Sequence, residues 1–301
     1  MTSNACSAGL QACVSSEPKG SHYIWRVCLL VLSTVTASAQ TTTFSSKVEA
    51  VRVDVLVTEK GRPVRGLQPA DFELFDNGVR QEVDFASFEQ IPLNVVLALD
   101  MSESVVGARL DNLKRAARAL LDGLRRDDQA ALVTFSHIVI QGAGLTTDLD
   151  RVRQALDRSL EPGHTSLVDG VFTAMMIGEG DVGRALVIVF SDGADTMSWL
   201  PSELVLDAAK RSDDVVYAVQ AGRVRAPFLH DLSEATGGAL LQADPSKDLS
   251  ATFLAILEEF RQRYLVSYTP RGVAPGGWHR LDVRVRGRSV SVKARPGYLA
   301  N

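Results

Sequence analysis

Between residues 93 and 264 the chain repeats one alternation, a short apolar run followed by an amphipathic stretch. That alternation restricts the fold more than any other feature. The runs cover 93–99, 130–135, 185–190 and 215–219, and each is apolar almost throughout instead of at every second position. A strand with one face in water alternates, whereas a run of this kind suits a parallel sheet covered on both faces. Between the runs, Leu110, Leu113, Ala117, Leu120, Leu121 and Leu124 recur at helical spacing, as do Leu149, Val152, Leu156 and Leu160. A last helix over 249–263 sets Phe253, Ile256, Leu257 and Phe260 on one face. The expectation is an α/β fold with a doubly wound, mostly parallel, Rossmann-like sheet, which binds ligands at the carboxyl ends of its strands.

The flanks read differently. Val51, Val53, Val55 and Val57 alternate with Arg52 and Asp54, the period of a half-buried strand. Turns follow at 60–63 and at Asp76-Asn77-Gly78, the latter a hairpin signal because both central residues tolerate positive φ. After Tyr264 short strands return over 265–269, 279–285 and 290–294. Neither flank holds enough strands to stand alone. The expected domains are therefore an N-terminal β segment at 40–90, an α/β domain at 91–263, and a C-terminal β segment at 264–301. The last pairs with 47–89 to form a small β-sandwich-like module into which the α/β domain is inserted.

The first 39 residues read as a signal peptide. Lys19 and Arg26 precede an apolar run through Val35 that ends in Ala37-Ser38-Ala39, a small-x-small cleavage pattern, and polar threonines follow. An uncleaved membrane anchor is the alternative, disfavoured by the shortness of the run. Cleavage after Ala39 removes Cys6, Cys13 and Cys28 and leaves a mature chain without a disulfide, thiolate metal site or cysteine nucleophile. Export to the periplasm or beyond the cell follows, with no membrane-spanning segment after cleavage. The formal charge of −4, with no basic block, argues against nucleic acid.

Chemistry enters where the first α/β strand ends. Asp100-Met101-Ser102-Glu103-Ser104 places a carboxylate and two hydroxyls at alternate positions of a loop, hard oxygen donors suited to Mg²⁺, with Mn²⁺ or Ca²⁺ as alternatives. The triplet alone is common by chance. Two further features strengthen it: the hydroxyl of Thr165 in Gly163-His164-Thr165-Ser166, and the carboxylate of Asp192 in Ser191-Asp192-Gly193, again at the end of an apolar strand. The alternative is that these residues only cap helices, as Asp and Ser often do. Asp195 reads as a turn or cap residue, and Thr147-Asp148 as a helix start. The histidines show no metal-ligand spacing, and Arg115, Arg118, Arg125 and Arg126 read as a solvated face.

Over about 93–264 these residues make the chain resemble the von Willebrand factor A domains. In that family Asp-x-Ser-x-Ser, a loop Thr and an Asp before Gly form the metal-ion-dependent adhesion site. The resemblance implies Asp100, Ser102, Ser104, Thr165 and Asp192 as ligands. Glu103 and His164 stand where many members have Gly; neither is a ligand position, and with Asp195 they are candidates for the rim or outer shell. The whole chain is also similar to a bacterial group of exported VWFA-related proteins, in the stretch 51–55, in Asp71-Phe72 and in its ending. In members that switch, ligand capture is coupled to sliding of the last helix, here 249–263.

The expected function is a non-enzymatic binding or adhesion module whose metal accepts an Asp or Glu carboxylate from a protein partner. A structural envelope component with optional metal is the first alternative, and a metal-dependent hydrolase the second. The hydrolase finds little support, because no phosphate loop, dinucleotide fingerprint or nucleophile elbow is present.

Overall fold

A computed structural model describes residues 50–88, 91–159, 163–180, 183–222, 226–244 and 248–300. The expected signal peptide lies outside the described residues. In chain order, the first flank carries β1 (Val51–Glu59), β2 (Arg62–Pro63), β3 (Phe72–Asp76), β4 (Val79–Gln81) and β5 (Phe85–Ser87). The central layer comprises β6 (Leu93–Asp100), α1 (Ala108–Asp122), β7 (Gln129–Phe135), β8 (Val139–Thr146), α2 (Leu149–Arg158), α3 (Leu167–Gly178) and β9 (Arg184–Ser191). It continues with α4 (Ser202–Arg211), β10 (Val215–Ala221), α5 (Pro227–Ala235), β11 (Ala239–Ala243) and α6 (Ser250–Arg261). The second flank holds β12 (Tyr264–Tyr268), β13 (Gly277–Val285), β14 (Ser291–Lys293) and β15 (Gly297–Ala300).

The central sheet runs in the order β11-β10-β9-β6-β7-β8. Every neighbouring pair is parallel except β7–β8, which is antiparallel and carries register irregularities around Leu132. All eight residues of β6 are buried, as its apolar run requires of a strand at the sheet's centre. Its alternate side chains feed two cores. Val95, Leu97 and Leu99 meet α1 and α6 on one face, and Val96 and Ala98 meet α3, α4 and α5 on the other. On α6, Phe253, Ile256, Leu257 and Phe260 are all buried, each worth about 1.5–3 kcal/mol of apolar transfer. The helix ends at Arg261, two residues short of the sequence expectation. Arg263 instead lies beyond the helix at the step into β12, its buried guanidinium donating to Gly237 O and Tyr217 Oη.

The flanks exchange strands. Val51–Val55 of β1 pair antiparallel with Tyr268–Tyr264 of β12, and Phe72–Asp76 of β3 with Val285–Leu281 of β13. One sheet is ordered β14-β1-β12-β5, with β2 against β1, and the other β15-β13-β3-β4. Val53, Val55, Phe72, Leu74, Tyr264, Val266, Tyr268 and Leu281 form one core between them. At the β3–β4 hairpin Asn77 (φ 48°) and Gly78 (φ 80°) both adopt positive φ, the reason this dipeptide stands there. The outward residue Asp54 joins the two parts, accepting from Arg184 Nε at 2.7 Å and from its second guanidinium nitrogen, with both side chains almost fully buried.

Candidate functional site

β6 and β9 are neighbours, so the loops that follow Asp100 and Ser191 leave the sheet side by side. Asp100 closes β6 with no exposed surface. One carboxylate oxygen accepts the Ser102 backbone N–H at 2.9 Å and the other accepts Ser191 Oγ–H at 2.7 Å. Burial raises its pKa above the ordinary aspartate value; the hydrogen bonds from Ser102 and Ser191 oppose that rise, and the nearby Asp192 charge adds to it. Ser102 is buried and Ser104 exposed, with their hydroxyl oxygens 3.0 Å apart. Ser104 and Asp192 line one small cavity with Val105 and Phe190.

Backbone bonds stitch in the third loop. Glu103 N donates to Gly163 O at 3.1 Å, and Ser166 N to Ser136 O at 2.7 Å. Thr165 is buried; its carbonyl accepts from Thr196 N and Met197 N, and its N–H donates to Thr196 Oγ1. Both backbone groups of Thr165 are thus occupied by the loop after β9. Packing of α3 onto β7 holds this loop down, since a Cβ at Gly170 would lie 2.5 Å from the Phe135 ring. Larger residues there would lift the N-terminus of α3 and Thr165 with it.

The donor set fits a hard divalent cation. Two carboxylates converge on the end of the sheet, and Asp192 is half-buried, with one oxygen engaged at 3.2 Å by Ala194 N. Neutral hydroxyls surround them. Among the described residues no group of three or more His, Cys, Asp or Glu is placed to hold a metal ion, so a cation here would draw on hydroxyl oxygens as well. Ser191, part of the Ser191-Asp192-Gly193 turn but not named as a site residue, is the residue that orients Asp100. Its signal was only its place before Asp192.

Glu103 and His164 are exposed, the first in a short 3₁₀ turn at Glu103–Val105. Asp195 accepts the Leu167 N–H at 2.8 Å and Ser198 Oγ–H at 2.6 Å, so it caps α3 from a distant loop. Asp169, unnoticed in the sequence, accepts Trp199 N and Leu200 N and fastens the same loop. Asp148 caps α2 through Arg151 N.

Residues 95–194 match the family model for the von Willebrand factor type A domain. The chain is 33% identical over 85 residues to a Synechocystis sp. protein, sll0103, covering 27% of this chain and 20% of that one. Mouse inter-alpha-trypsin inhibitor heavy chain H2 is 24% identical over 139 residues, 42% of this chain and 15% of its own length. The chain thus spans a fifth or less of these two relatives. A UPF0353 protein of Mycolicibacterium paratuberculosis matches more evenly, at 24% identity over 65% of this chain and 68% of that one. Among solved structures, proximal thread matrix protein 1 from the mussel byssus superposes with a TM-score of 0.52 at 16% identity, over 61% of this chain and 49% of its own. That structure has a zinc-occupied metal-ion-dependent adhesion motif. At this identity the likeness speaks to the fold: a mixed α/β domain of von Willebrand factor A type.

Proposed function

On the premise that residues 95–194 are a von Willebrand factor type A domain, we propose that the chain is an exported, non-enzymatic binding module that recognises an acidic group of a protein partner through a divalent ion. Asp100, Ser102, Ser104, Thr165 and Asp192 would hold that ion, with Mg²⁺ the best match to hard oxygens and Mn²⁺ or Ca²⁺ as alternatives. The observation that carries the reading is the pairing of Asp100 and Asp192 at adjoining strand ends with hydroxyls around them. With only two carboxylates among the five groups, the protein no more than balances the charge of a divalent ion, so an incoming Asp or Glu oxygen could still complete its coordination.

Each protein group has a definable part. Ser191 holds the Asp100 carboxylate in one orientation, and the Ser102 N–H fixes its other oxygen. Thr165 is positioned by the loop of Thr196 and Met197. Among the described residues no helix is long and apolar enough to cross a membrane, and the leader-like residues 1–39 support export of the remainder.

Mn²⁺ binding to the chain from residue 40, followed by electron paramagnetic resonance, tests the site. Saturable one-to-one binding is expected, lost in Asp100→Ala and Asp192→Ala and competed by Mg²⁺. Equal Mn²⁺ affinity in wild type and both variants would sink the assignment.

A further inference from the structure

A groove beside this site carries the opposite charge from the chain as a whole. It encloses about 440 Å³ between α2 and the edge of the central sheet, with Met101, Ser136, Gln141, Arg151, Gln154 and Arg158 among its walls. Met101 stands in sequence between Asp100 and Ser102, and the Ser136 carbonyl accepts the N–H of Ser166, the neighbour of Thr165. The groove therefore opens at the candidate metal loops and runs away from them along α2.

Its charge is one-sided. Arg151 and Arg158 lie seven residues apart, two helical turns, so both project from one face about 10 Å apart along the axis. Among the described residues, none that lines the groove is acidic. Arg153, on another face of the same helix, is neutralised by Asp122 and Asp150. Arg151 and Arg158 form no ion pair among the described residues; Arg158 only donates to Gln154 Oε1 at 3.1 Å. In a chain of formal charge −4, one wall of the groove thus carries two guanidinium groups with no ion pair among the described residues. Opposite them, Ser136 and Gln141 supply a hydroxyl and an amide able to bond an extended backbone.

We infer that this groove receives an extended acidic segment of the partner, with one carboxylate at the metal site and a further Asp or Glu on Arg151 and Arg158. The inference rests on the binding function proposed above and specifies its partner as an acidic peptide with more than one carboxylate. Guanidinium groups suit this because they can grip a carboxylate through two parallel N–H donors. The metal site then supplies the first contact and the groove sets which flanking sequence is accepted.

Fluorescence anisotropy with a fluorescein-labelled hexa-aspartate peptide and the chain from residue 40, in Mg²⁺, tests this. Arg151→Glu with Arg158→Glu is expected to weaken binding at least about tenfold, and the milder pair Arg151→Gln with Arg158→Gln about threefold. Arg62→Glu with Arg126→Glu, an equal charge change on exposed residues elsewhere, is expected to stay within about twofold. Peptide affinity unchanged in both groove pairs, or oligothymidylate binding as tightly as hexa-aspartate, overturns the inference. Mn²⁺ binding measured on the same proteins separates the two layers. Groove variants that keep Mn²⁺ but not peptide support the groove; Asp100→Ala that keeps Mn²⁺ refutes the metal reading itself; and Asp100→Ala that loses Mn²⁺ while groove variants bind peptide normally refutes the groove alone.

Discussion

Two regions of this molecule each bury an aspartate completely, and they treat it in opposite ways. In the β module Asp76 is surrounded by donors: Tyr268 Oη at 2.8 Å and Tyr298 Oη at 3.0 Å on one oxygen, and His279 Nδ1 at 2.7 Å on the other. The two tyrosines are held protonated, Tyr298 pushed up to about 12 and Tyr268 higher still, by burial first and by the carboxylate beside them. At the end of the central sheet Asp100 has one hydroxyl and one backbone N–H, with the Asp192 carboxylate nearby. A carboxylate satisfied on all sides is scaffolding; one with fewer donors, beside a second carboxylate, is under the function proposed above a ligand for a cation.

The comparison breaks most directly at Asp76. Asp76→Ala strands a histidine and two phenolic hydroxyls in the core and is expected to cost about 3–5 kcal/mol. Urea unfolding followed by far-UV circular dichroism measures it, and a loss below about 1 kcal/mol would mean Asp76 is no keystone. Asp100 should respond to ligand instead. With Mg²⁺ at about one hundred times its Kd the native state gains about 2.7 kcal/mol. The melting temperature is expected to rise in wild type and to stay fixed in Asp100→Ala. A Mg²⁺-induced rise that survives in Asp100→Ala would erase the distinction drawn between the two aspartates.

A third buried aspartate sharpens the contrast. Asp214 sits at the opposite end of the sheet, before β10, and among the described residues neither of its oxygens has a hydrogen-bond partner. Burial, with Glu179 adding to it, pushes its pKa up to about 8 from 3.8. The native state therefore holds this proton more tightly than the unfolded chain does. Its contribution is complete at pH values below the ordinary aspartate range and is lost as pH rises through about 8. Wild type is expected to lose about 2 kcal/mol between pH 6 and pH 7.5, and Asp214→Asn to lose markedly less. Parallel pH profiles for the two proteins would show that Asp214 is not the group responsible.

What could be read from the sequence divides along physical lines. The β6, β7, β9 and β10 runs were legible because a doubly covered strand is apolar along its length. β8 and β11 were not, since edge strands such as Val139–Thr146 keep polar and glycine residues facing solvent. The loop positions of Asp100, Thr165 and Asp192 followed from strand ends, which is local information. The ties that position them, Ser191 to Asp100, Asp195 to Leu167 N and Thr196 to Thr165, span 28 to 91 residues and leave no periodic trace. Asp54 looked like the solvent side of an alternating strand, yet it meets Arg184, because the outer face of β1 is covered by the α/β layer. His279 carried no motif at all, and its place beside Asp76 depends on the β3–β13 register.

The smallest effect is expected at Ser104, and it isolates site from scaffold most cleanly. Ser104 is exposed, and among the described residues its hydroxyl meets only that of Ser102. Ser104→Ala removes no buried partner, so metal-free stability should stay within about 0.5 kcal/mol of wild type. Mn²⁺ affinity, in contrast, should fall, because a methyl group replaces one of the few oxygens facing the cavity shared with Asp192. Chemical unfolding without metal and Mn²⁺ titration on the same protein read the two effects separately. Lower stability with unchanged Mn²⁺ affinity would make Ser104 a structural turn residue and place it with Asp76 on the scaffold's side of the comparison.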